Sequence, residues 1–426
     1  MKNLLLLTIL ILFYCNNGQA QALYFPPLIG NAWQTVSPES LGWNPAAQEN
    51  LLAYLDAKHS KAFMILKDGK IVIESYWNGF GPDSLWYWAS AGKSLTSVLV
   101  GRAQTEGLLS IEDSVSQYLG KGWTIAPPEK EGKIKIYHNL SMTTGLDWNI
   151  PNDDCTIDTC LAYRTEAGTE WYYFNAPYHL LQDVVEAASG VGFQQFTNSR
   201  LTVKTGIRGL WSNYVFYSKA RDMARFGLLA LNKGKWADTE VIGDSVFFAS
   251  SVQSSQNLNP AYGYLWWLNG KEKYRLPQTQ FLFDGMLVPA APPDMFMALG
   301  KNDQKIYVVP SQKLVVIRMG ESADLPSLAL SSFDNEMWIR INAMTGVNPV
   351  ADLSDRRKLN LFVDQDFKLQ VSDIQDIVSL EIYDLASRKL ISGSPGFSIS
   401  TVPKGIYRVR AMSVTGLPFY TFWVNN

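Results

Sequence analysis

One serine–lysine pair is the strongest chemical signal in this sequence. Ser90-Ala91-Gly92-Lys93 is its single Ser-x-x-Lys, and residues three apart share one helix face, so the Lys93 amine can reach the Ser90 hydroxyl. A serine hydroxyl becomes a nucleophile when a base takes its proton, and a lysine can be that base when burial or a nearby cation lowers its pKa. The preceding run Trp86-Tyr87-Trp88 predicts burial. A chance match on an exposed helix face is the alternative.

Signatures of other hydrolases are absent from the sequence. Gly92-Lys93-Ser94 is similar to the end of a phosphate-binding loop, but Tyr87 stands where the first glycine is required. There is no Gly-x-Ser-x-Gly elbow and no His-Glu-x-x-His helix, which disfavours α/β-hydrolases and zinc peptidases. No Ser-His-Asp arrangement is legible, so we expect His138 and His179 to be structural.

Two phrases resemble the serine β-lactamase-related family. They are Ser90-x-x-Lys93 with the following Leu95-Thr96-Ser97, and the stretch from His138 to Leu146. The family includes class C β-lactamases, D-alanyl-D-alanine peptidases, esterases and linear-amide hydrolases. The resemblance spans roughly residues 35 to 345. It implies a Tyr-x-Asn motif, then Lys-Thr-Gly or a variant, and neither a metal nor an organic cofactor.

Tyr-x-Asn occurs three times, beginning at Tyr76, Tyr137 and Tyr173. The first precedes the nucleophile and is in the wrong order, so we favour Tyr173-Phe174-Asn175 and keep Tyr137 as the alternative. Asn175 would bind substrate, cap a helix, or do both. Tyr173 would transfer protons, and two flanking ammonium groups would lower its pKa from about 10.

The third motif is placed at Gly300-Lys301-Asn302-Asp303-Gln304. The resemblance implies that Lys301 supplies the second ammonium group and that Asn302 and Asp303 lie beside the substrate. Asp303 stands where the family has a glycine, which argues against efficient β-lactam turnover. The resemblance also assigns the oxyanion hole to the backbone N–H groups of Ser90 and Gln304. An ordinary strand-end lysine is the alternative for Lys301.

The spacing of apolar residues predicts an α+β fold. Strands at both ends of the catalytic region and helices between them favour one antiparallel sheet flanked by helices, with a mostly helical inserted lobe. Asp68-Gly69 predicts a tight hairpin turn. The predicted elements are strands 62–66, 70–77, 295–299, 304–309 and 313–319, and helices beginning near Ser90, from Pro177 to Gly190 and over 332–344.

The N-terminus has the pattern of a signal peptide over residues 1–22. Lys2 precedes the apolar run Leu4–Tyr14, and Ala20-Gln21-Ala22 offers a cleavage site. A lipid anchor on Cys15 is the alternative, but Phe13 and Tyr14 are bulky where small residues are expected. We therefore expect export to the periplasm, the cell surface or the medium.

In an oxidising compartment, the two remaining cysteines, Cys155 and Cys160, are expected to form a structural disulfide. Too few ligands lie nearby for a metal site. The formal charge of −2 provides no basic surface for nucleic acid.

The C-terminal part predicts a separate domain. The 426 residues suffice for two domains, and we assign 23–346 to the catalytic domain, 347–357 to a linker and 358–426 to a small β-sandwich. Leu380–Asp384 and Pro403–Val409 resemble type IX secretion sorting domains, which implies secretion machinery as a partner. A carbohydrate-binding or merely stabilising β-domain is the rival interpretation.

These features together predict an exported serine hydrolase that cleaves a small ester, amide or peptide. A β-lactamase or D-alanyl-D-alanine peptidase is one alternative. A catalytically silent binding protein on the same fold is the other.

Overall fold

A computed structural model describes most of the chain. The described residues are 23–323, 330–346, 360–372, 377–384, 388–413 and 418–425. The predicted signal peptide (1–22) and linker (347–357) lie outside these ranges.

Eleven α-helices lie within the described residues. They are α1 Pro45–Ala57, α2 Gly92–Thr105, α3 Ser116–Leu119, α4 Pro128–Glu131, α5 Ile136–Ser141, α6 Asn175–Ser189, α7 Phe193–Thr197, α8 Val203–Thr205, α9 Ala220–Leu231, α10 Ser245–Ser251 and α11 Ser332–Thr345. None of these helices is long and apolar enough to cross a membrane.

The described residues also form twenty strands. They are β1 Ser60–Lys67, β2 Lys70–Tyr76, β3 Trp86–Tyr87, β4 Gly209–Ser212, β5 Val215–Ser218, β6 Lys235–Trp236, β7 Thr239–Glu240, β8 Trp267–Leu268, β9 Lys273–Tyr274, β10 Phe283–Asp284, β11 Phe296–Gly300, β12 Gln304–Val309, β13 Leu314–Gly320, β14 Asn360–Val363, β15 Lys368–Ser372, β16 Ile377–Tyr383, β17 Lys389–Gly393, β18 Phe397–Ser398, β19 Gly405–Ser413 and β20 Pro418–Asn425.

The central sheet is antiparallel, with the strand order β2-β1-β13-β12-β11-β8. Every residue of β12 and β13 is buried. Helix α9 packs on the face that carries Ile306 and Val315, and Lys305 and Tyr307 on the other face reach Asp334 of α11, so both faces are covered. At the β1–β2 turn, Asp68 and Gly69 both have positive φ (51° and 82°), as a tight primed turn requires.

The helical lobe lies in the sequence between β2 and β8, as predicted. Helix α2 follows Ser90, and eleven of its fourteen residues are buried. Helix α6 packs against α2. It ends at Ser189, and Gly190 adopts the left-handed conformation (φ 70°) that terminates many helices. The predicted α+β architecture is confirmed.

The C-terminal strands form two sheets, β14-β15-β18 and β17-β16-β19-β20. They enclose an apolar cluster of their own, which includes Leu369, Leu380, Ile382, Val409 and Trp423. This sheet-rich region agrees with the predicted small all-β domain.

A buried ion cluster joins the central sheet to α11. Lys305 Nζ lies 2.9 Å from Asp334 Oδ2 and 3.1 Å from Asp303 Oδ1, and the three side chains are at most 1% exposed. The Tyr307 hydroxyl donates to Asp334 Oδ1 at 2.5 Å. The cluster anchors the turn between β11 and β12, since Asp303 belongs to that turn.

We expect Asp334→Asn to lower the free energy of unfolding by about 3–5 kcal/mol, because the buried cations Lys305 and Arg318 would then share the single carboxylate of Asp303. The matched control is Glu336→Gln, which breaks the partly exposed Arg340–Glu336 pair on the same helix and should cost less than about 1 kcal/mol. Denaturant unfolding measures both. Equal midpoints for the two variants would contradict a structural role for the cluster.

Candidate active site

Ser90 lies in a short 3₁₀ turn, Ala89–Ala91, directly before α2. The preceding Trp88 fixes this turn: its backbone N–H donates to the Phe216 carbonyl at 2.8 Å, and its indole Nε1 donates to Ser218 Oγ at 2.8 Å. Ala89 has φ 47°, a conformation that residues other than glycine rarely adopt. Backbone strain at the residue before a side chain is typical of functional sites.

The end of β11 contacts the turn that carries Ser90. A Cβ atom on Gly300 would lie 2.3 Å from the Trp88 carbonyl oxygen and 3.1 Å from the Ala91 nitrogen, so only glycine fits there. The close approach places the nucleophile against the edge of the sheet. Sequence analysis did not single out this role of Gly300.

Lys93 and Ser90 are in direct contact. Lys93 Nζ donates a hydrogen bond to Ser90 Oγ at 2.9 Å, and Lys93 is only 3% exposed. Burial lowers the Lys93 pKa to about 7, against the opposing attraction of Asp154 and Asp153. A large fraction of this amine is therefore neutral at neutral pH and able to accept a proton.

Aromatic rings surround the lysine. Lys93 Nζ lies 5.0 Å from the ring centroid of Tyr173 and 4.3 Å from that of Tyr178. Tyr173 is supported by Trp267, stacked at 5.7 Å, and by Tyr262, edge-on at 6.1 Å. The structure thus brings Ser90, Lys93 and Tyr173 together.

Tyr173 is a neutral phenol in this structure. Burial raises its pKa above 10, the charge of Asp153 raises it further, and a hydrogen bond with Ser90 opposes both effects. The predicted lowering of this pKa by two ammonium groups is wrong for this structure. With a pKa near 7, Lys93 is protonated in only part of the molecules at neutral pH, and the second ammonium group was expected from Lys301, whose side chain is exposed on the turn beyond β11.

The third predicted motif is divided between two environments. Asn302 Nδ2 donates to the Tyr87 hydroxyl at 2.7 Å, whereas Asp303 lies in the buried cluster with Lys305. The Gln304 side chain is also buried and donates to the Gly320 carbonyl at 2.7 Å. Within the described ranges, Lys301 forms no ion pair. The ion cluster therefore uses the Asp303 carboxylate, whereas Lys301 is exposed and directly follows Gly300, which contacts the turn of Ser90.

Asn175 is the first residue of α6, two positions after Tyr173. Its Nδ2 donates to Asp153 Oδ2 at 3.2 Å, and the Ala176 N–H donates to the Asp153 carbonyl at 2.8 Å. The Asn175 Oδ1 atom is buried, with no hydrogen-bond partner in the described structure. The role of Asn175 in substrate binding stays a prediction.

The predicted Cys155–Cys160 disulfide is present, with a Cα–Cα distance of 6.0 Å. It closes a loop directly after Asp153 and Asp154, the two carboxylates whose charges act on Lys93. Asp153 and Asp154 are among the carboxylates near the cysteines that are too few for a metal site, and sequence analysis assigned them no other role. Their position before a cysteine whose partner is five residues away was the available signal that they would be held in place.

His179 is buried beside the same loop. Its Nε2 lies 3.8 Å from Asp154 Oδ1, and its ring stacks on Tyr214 with centroids 4.4 Å apart. Burial lowers its pKa to about 3, and the charge of Lys93 contributes. It is therefore a neutral imidazole near the site.

The remaining sequence candidates have structural partners. The Tyr137 hydroxyl donates a hydrogen bond to the Ser255 carbonyl, so this hydroxyl has a structural partner away from Lys93. His138 Nδ1 accepts a hydrogen bond from the Lys135 N–H at 3.0 Å and caps α5. In the part of the chain that the structure describes, no cluster of His, Cys, Asp and Glu could hold a metal ion.

Comparison with known proteins finds relatives of this chain. Residues 49–328 match the family model described as Beta-lactamase, about two-thirds of the chain. The 6-aminohexanoate-dimer hydrolase of Paenarthrobacter ureafaciens is 24% identical over 271 residues, which cover 51% of this chain and 67% of the relative.

Solved structures share the fold at low sequence identity. A penicillin-binding protein homologue from Caulobacter crescentus has a TM-score of 0.55 at 11% identity, over 74% of this chain and 99% of that one. An octameric penicillin-binding protein homologue from Pyrococcus abyssi has a TM-score of 0.54 at 13% identity, over 89% of this chain and 96% of that one.

Proposed function

The chain belongs to the Beta-lactamase family, and from this membership and the site geometry we propose that it is a serine hydrolase, cleaving an ester or amide bond through an acyl-enzyme on Ser90. The observation that supports the proposal best is the 2.9 Å hydrogen bond from Lys93 to Ser90 Oγ, made by a buried amine with a pKa of about 7. A base with a pKa near the working pH combines a useful neutral fraction with useful basicity.

In the first half-reaction, the Ser90 hydroxyl gives its proton to Lys93 Nζ while Oγ bonds to the substrate carbonyl carbon. The oxyanion would be stabilised by the backbone N–H groups that the resemblance assigns, those of Ser90 and Gln304. The bond to the leaving group then breaks, and Tyr173 donates its phenolic proton to that group. The Lys93 ammonium group returns a proton to Tyr173, which leaves the amine neutral again.

In the second half-reaction, water gives a proton to Lys93 and bonds to the acyl carbon. The carbon–Oγ bond breaks, and Ser90 recovers its proton, which releases the acid. A neutral Tyr173 fits the role of proton donor better than that of base, because its pKa is raised above 10.

The relative from Paenarthrobacter ureafaciens is named for hydrolysis of a 6-aminohexanoate dimer, a linear amide. That name supports an amide or ester substrate over a strained lactam. A β-lactamase or D-alanyl-D-alanine peptidase is less well supported, because Asp303 stands where the family has a glycine and its carboxylate is buried in an ion cluster. A silent binding protein would not need a lysine with a lowered pKa against the serine.

We expect Ser90→Ala to lower kcat for a p-nitrophenyl butyrate ester at least 10³-fold, because the covalent step is lost. Nitrocefin and D-alanyl-D-alanine, assayed alongside, distinguish the alternative functions. Ser97→Ala is the matched control: this serine lies on α2, the helix that follows the Ser90 turn, and its buried Oγ has no hydrogen-bond partner among the described residues. Hydrolysis that persists unchanged in Ser90→Ala would reject the proposal.

We expect kcat/KM to decrease about tenfold for each pH unit below about 7, because protonated Lys93 cannot accept the Ser90 proton. Since burial lowers the pKa of the free enzyme's base, the decrease lies on the acid side of neutrality. Initial-rate assays from pH 5 to 9 measure the pH dependence of kcat/KM. Lys93→Arg, which stays charged throughout, should be inactive at every pH. A flat profile between pH 5.5 and 8.5 would contradict Lys93 as the base.

We also propose that the protein is exported and that residues 358–426 direct its secretion. A disulfide in the catalytic region suits an oxidising compartment, and the C-terminal strands enclose a core of their own. In a bacterium with type IX secretion machinery, the full chain should reach the surface or medium, while a chain ending at residue 346 should stay in the periplasm. Ser90-dependent esterase activity in each fraction reports folded protein. Equal secretion of both chains would contradict a sorting role.

A further inference from the structure

A cavity of about 440 Å³ lies at one end of the small sheet β3-β5-β4. The described residues that line it do not include Ser90, Lys93 or Tyr173. We propose that this cavity binds a small organic molecule through an anionic oxygen group, a carboxylate or a phosphate. The site goes beyond the proposed function, because it takes no part in the chemistry at Ser90.

The ends of three strands frame the cavity. Arg208 directly precedes β4, Lys219 directly follows β5, and Asp83 stands three residues before β3. The start of α9 and the N-terminal segment 28–33 complete the walls. Small-molecule sites typically occupy about 300–1,000 Å³, so the cavity has room for an organic ligand.

The first argument is the charge of the lining. It contains four cationic side chains and two carboxylates, namely Arg208, Lys219, Arg221, Arg225, Asp83 and Asp222. Asp83 pairs with Lys219 at 2.6 Å, and Glu74, which lies outside the lining, pairs with Arg221 at 2.7 Å. The cations exceed the carboxylates by one even when Glu74 is counted. A concave surface with this balance of charge attracts an anion.

The second argument is a buried guanidinium group. Arg225 is only 6% exposed, and no described carboxylate forms an ion pair with it. Its Nη1 donates to the Thr205 carbonyl at 2.9 Å and its Nη2 donates to the Pro27 carbonyl at 2.7 Å. The rings of Trp33 and Trp236 flank it, with centroids 5.2 and 5.4 Å from Cζ. Buried charges are normally paired with an opposite charge, which an anion in the cavity would supply.

The third argument is a guanidinium group that is available for binding. The Arg208 N–H donates to Asp222 Oδ1 at 2.9 Å, which fixes the backbone of this residue beside α9. The Arg208 side chain lines the cavity and has no hydrogen bond or ion pair among the described residues. A guanidinium group binds the oxygens of a carboxylate or phosphate through two parallel hydrogen bonds. Arg208 is therefore the residue on which anion binding should depend most.

The fourth argument is that the walls are partly apolar and are held in place. The apolar lining consists of Leu28, Trp33 and Pro82. Arg221 Nη1 donates to the Asn31 carbonyl at 2.7 Å, which ties the N-terminal segment to α9. A Cβ atom on Gly206 would lie 2.5 Å from the Leu28 carbonyl oxygen, so the segment packs tightly there. Walls that are fixed before binding need little reorganisation when a ligand arrives.

The test compares aromatic probes of similar size that differ in charge. They are benzenesulfonate, benzoate, phenyl phosphate and the neutral benzamide, titrated into the full-length protein in a calorimeter at constant ionic strength. We expect the three anions to bind with a Kd below about 5 mM and benzamide to bind at least tenfold more weakly. The tighter of benzoate and phenyl phosphate distinguishes a carboxylate ligand from a phosphate ligand. Anions that bind no more tightly than benzamide would overturn the proposal.

Variants assign the binding to the cavity. Arg208→Gln should weaken the binding of each anion at least fivefold, because a charged two-point contact is lost. Arg388→Gln is the matched control, since it removes an exposed guanidinium group that pairs with Asp384 in the C-terminal region and does not line the cavity. Circular dichroism verifies that both variants fold. Equal anion affinity in Arg208→Gln and the unsubstituted chain would also overturn the proposal.

Asp222 provides an independent readout. Burial raises its pKa to about 6, although the Arg208 and Lys219 backbone N–H groups and the charges of Arg225 and Lys219 oppose this effect. The neighbouring Lys219 lowers the pKa of Asp83, so that carboxylate stays ionised near neutral pH. As the pH decreases through about 6, protonation of Asp222 therefore removes one negative charge from the lining.

We expect benzenesulfonate, which stays anionic, to bind at least twofold more tightly at pH 5.5 than at pH 7.5. Asp222→Asn keeps an oxygen acceptor for the Arg208 N–H but removes the charge. This variant should bind benzenesulfonate more tightly than the unsubstituted chain at pH 7.5 and should lose the pH dependence. Equal affinity of the unsubstituted chain at both pH values, or weaker binding by Asp222→Asn, would contradict an anion site beside Asp222.

Discussion

The burial of one primary amine beside one hydroxyl is the constraint on which the site depends. An exposed lysine is protonated at neutral pH and cannot act as a base, so Lys93 has to be taken out of water. Its helix, α2, is accordingly buried along most of its length instead of on one stripe. The rings of Tyr173 and Tyr178 contact the amine without supplying a full charge, which lets burial dominate the pKa.

The same constraint explains the surroundings of the nucleophile. Ser90 must stay partly accessible while Lys93, three residues later, is buried, so the chain has to turn sharply between solvent and core. The strained Ala89 and the hydrogen bonds of Trp88 hold that turn, and the tight contact with Gly300 leaves it little room to move. Strain persists where neighbouring structure fixes it, and here the central sheet is that structure.

Sequence was sufficient wherever the signal was local. The spacing of residues on a helix predicts the Ser90–Lys93 contact, and runs of apolar residues predict the strands around Tyr307. Two cysteines in an expected oxidising compartment predict the Cys155–Cys160 disulfide. The sequence was insufficient to predict contacts between segments that are distant along the chain. The turn after β11 has positive φ at Asn302 and Asp303, and the Asp303 carboxylate pairs with Lys305 in a cluster completed by Asp334 from α11. No spacing rule reveals that pairing, because the partners meet only through the fold.

The third predicted motif and the loop before Cys155 act on different parts of the structure. The resemblance placed a small residue at position 303; Asp303 instead pairs with Lys305 in the cluster that anchors the sheet to α11. Asp153 and Asp154 act on the base itself, because their attraction opposes the effect of burial on the Lys93 amine and the balance leaves its pKa near 7. Without these two carboxylates the same burial would lower that pKa further, so they contribute to the pH range in which Lys93 can accept a proton.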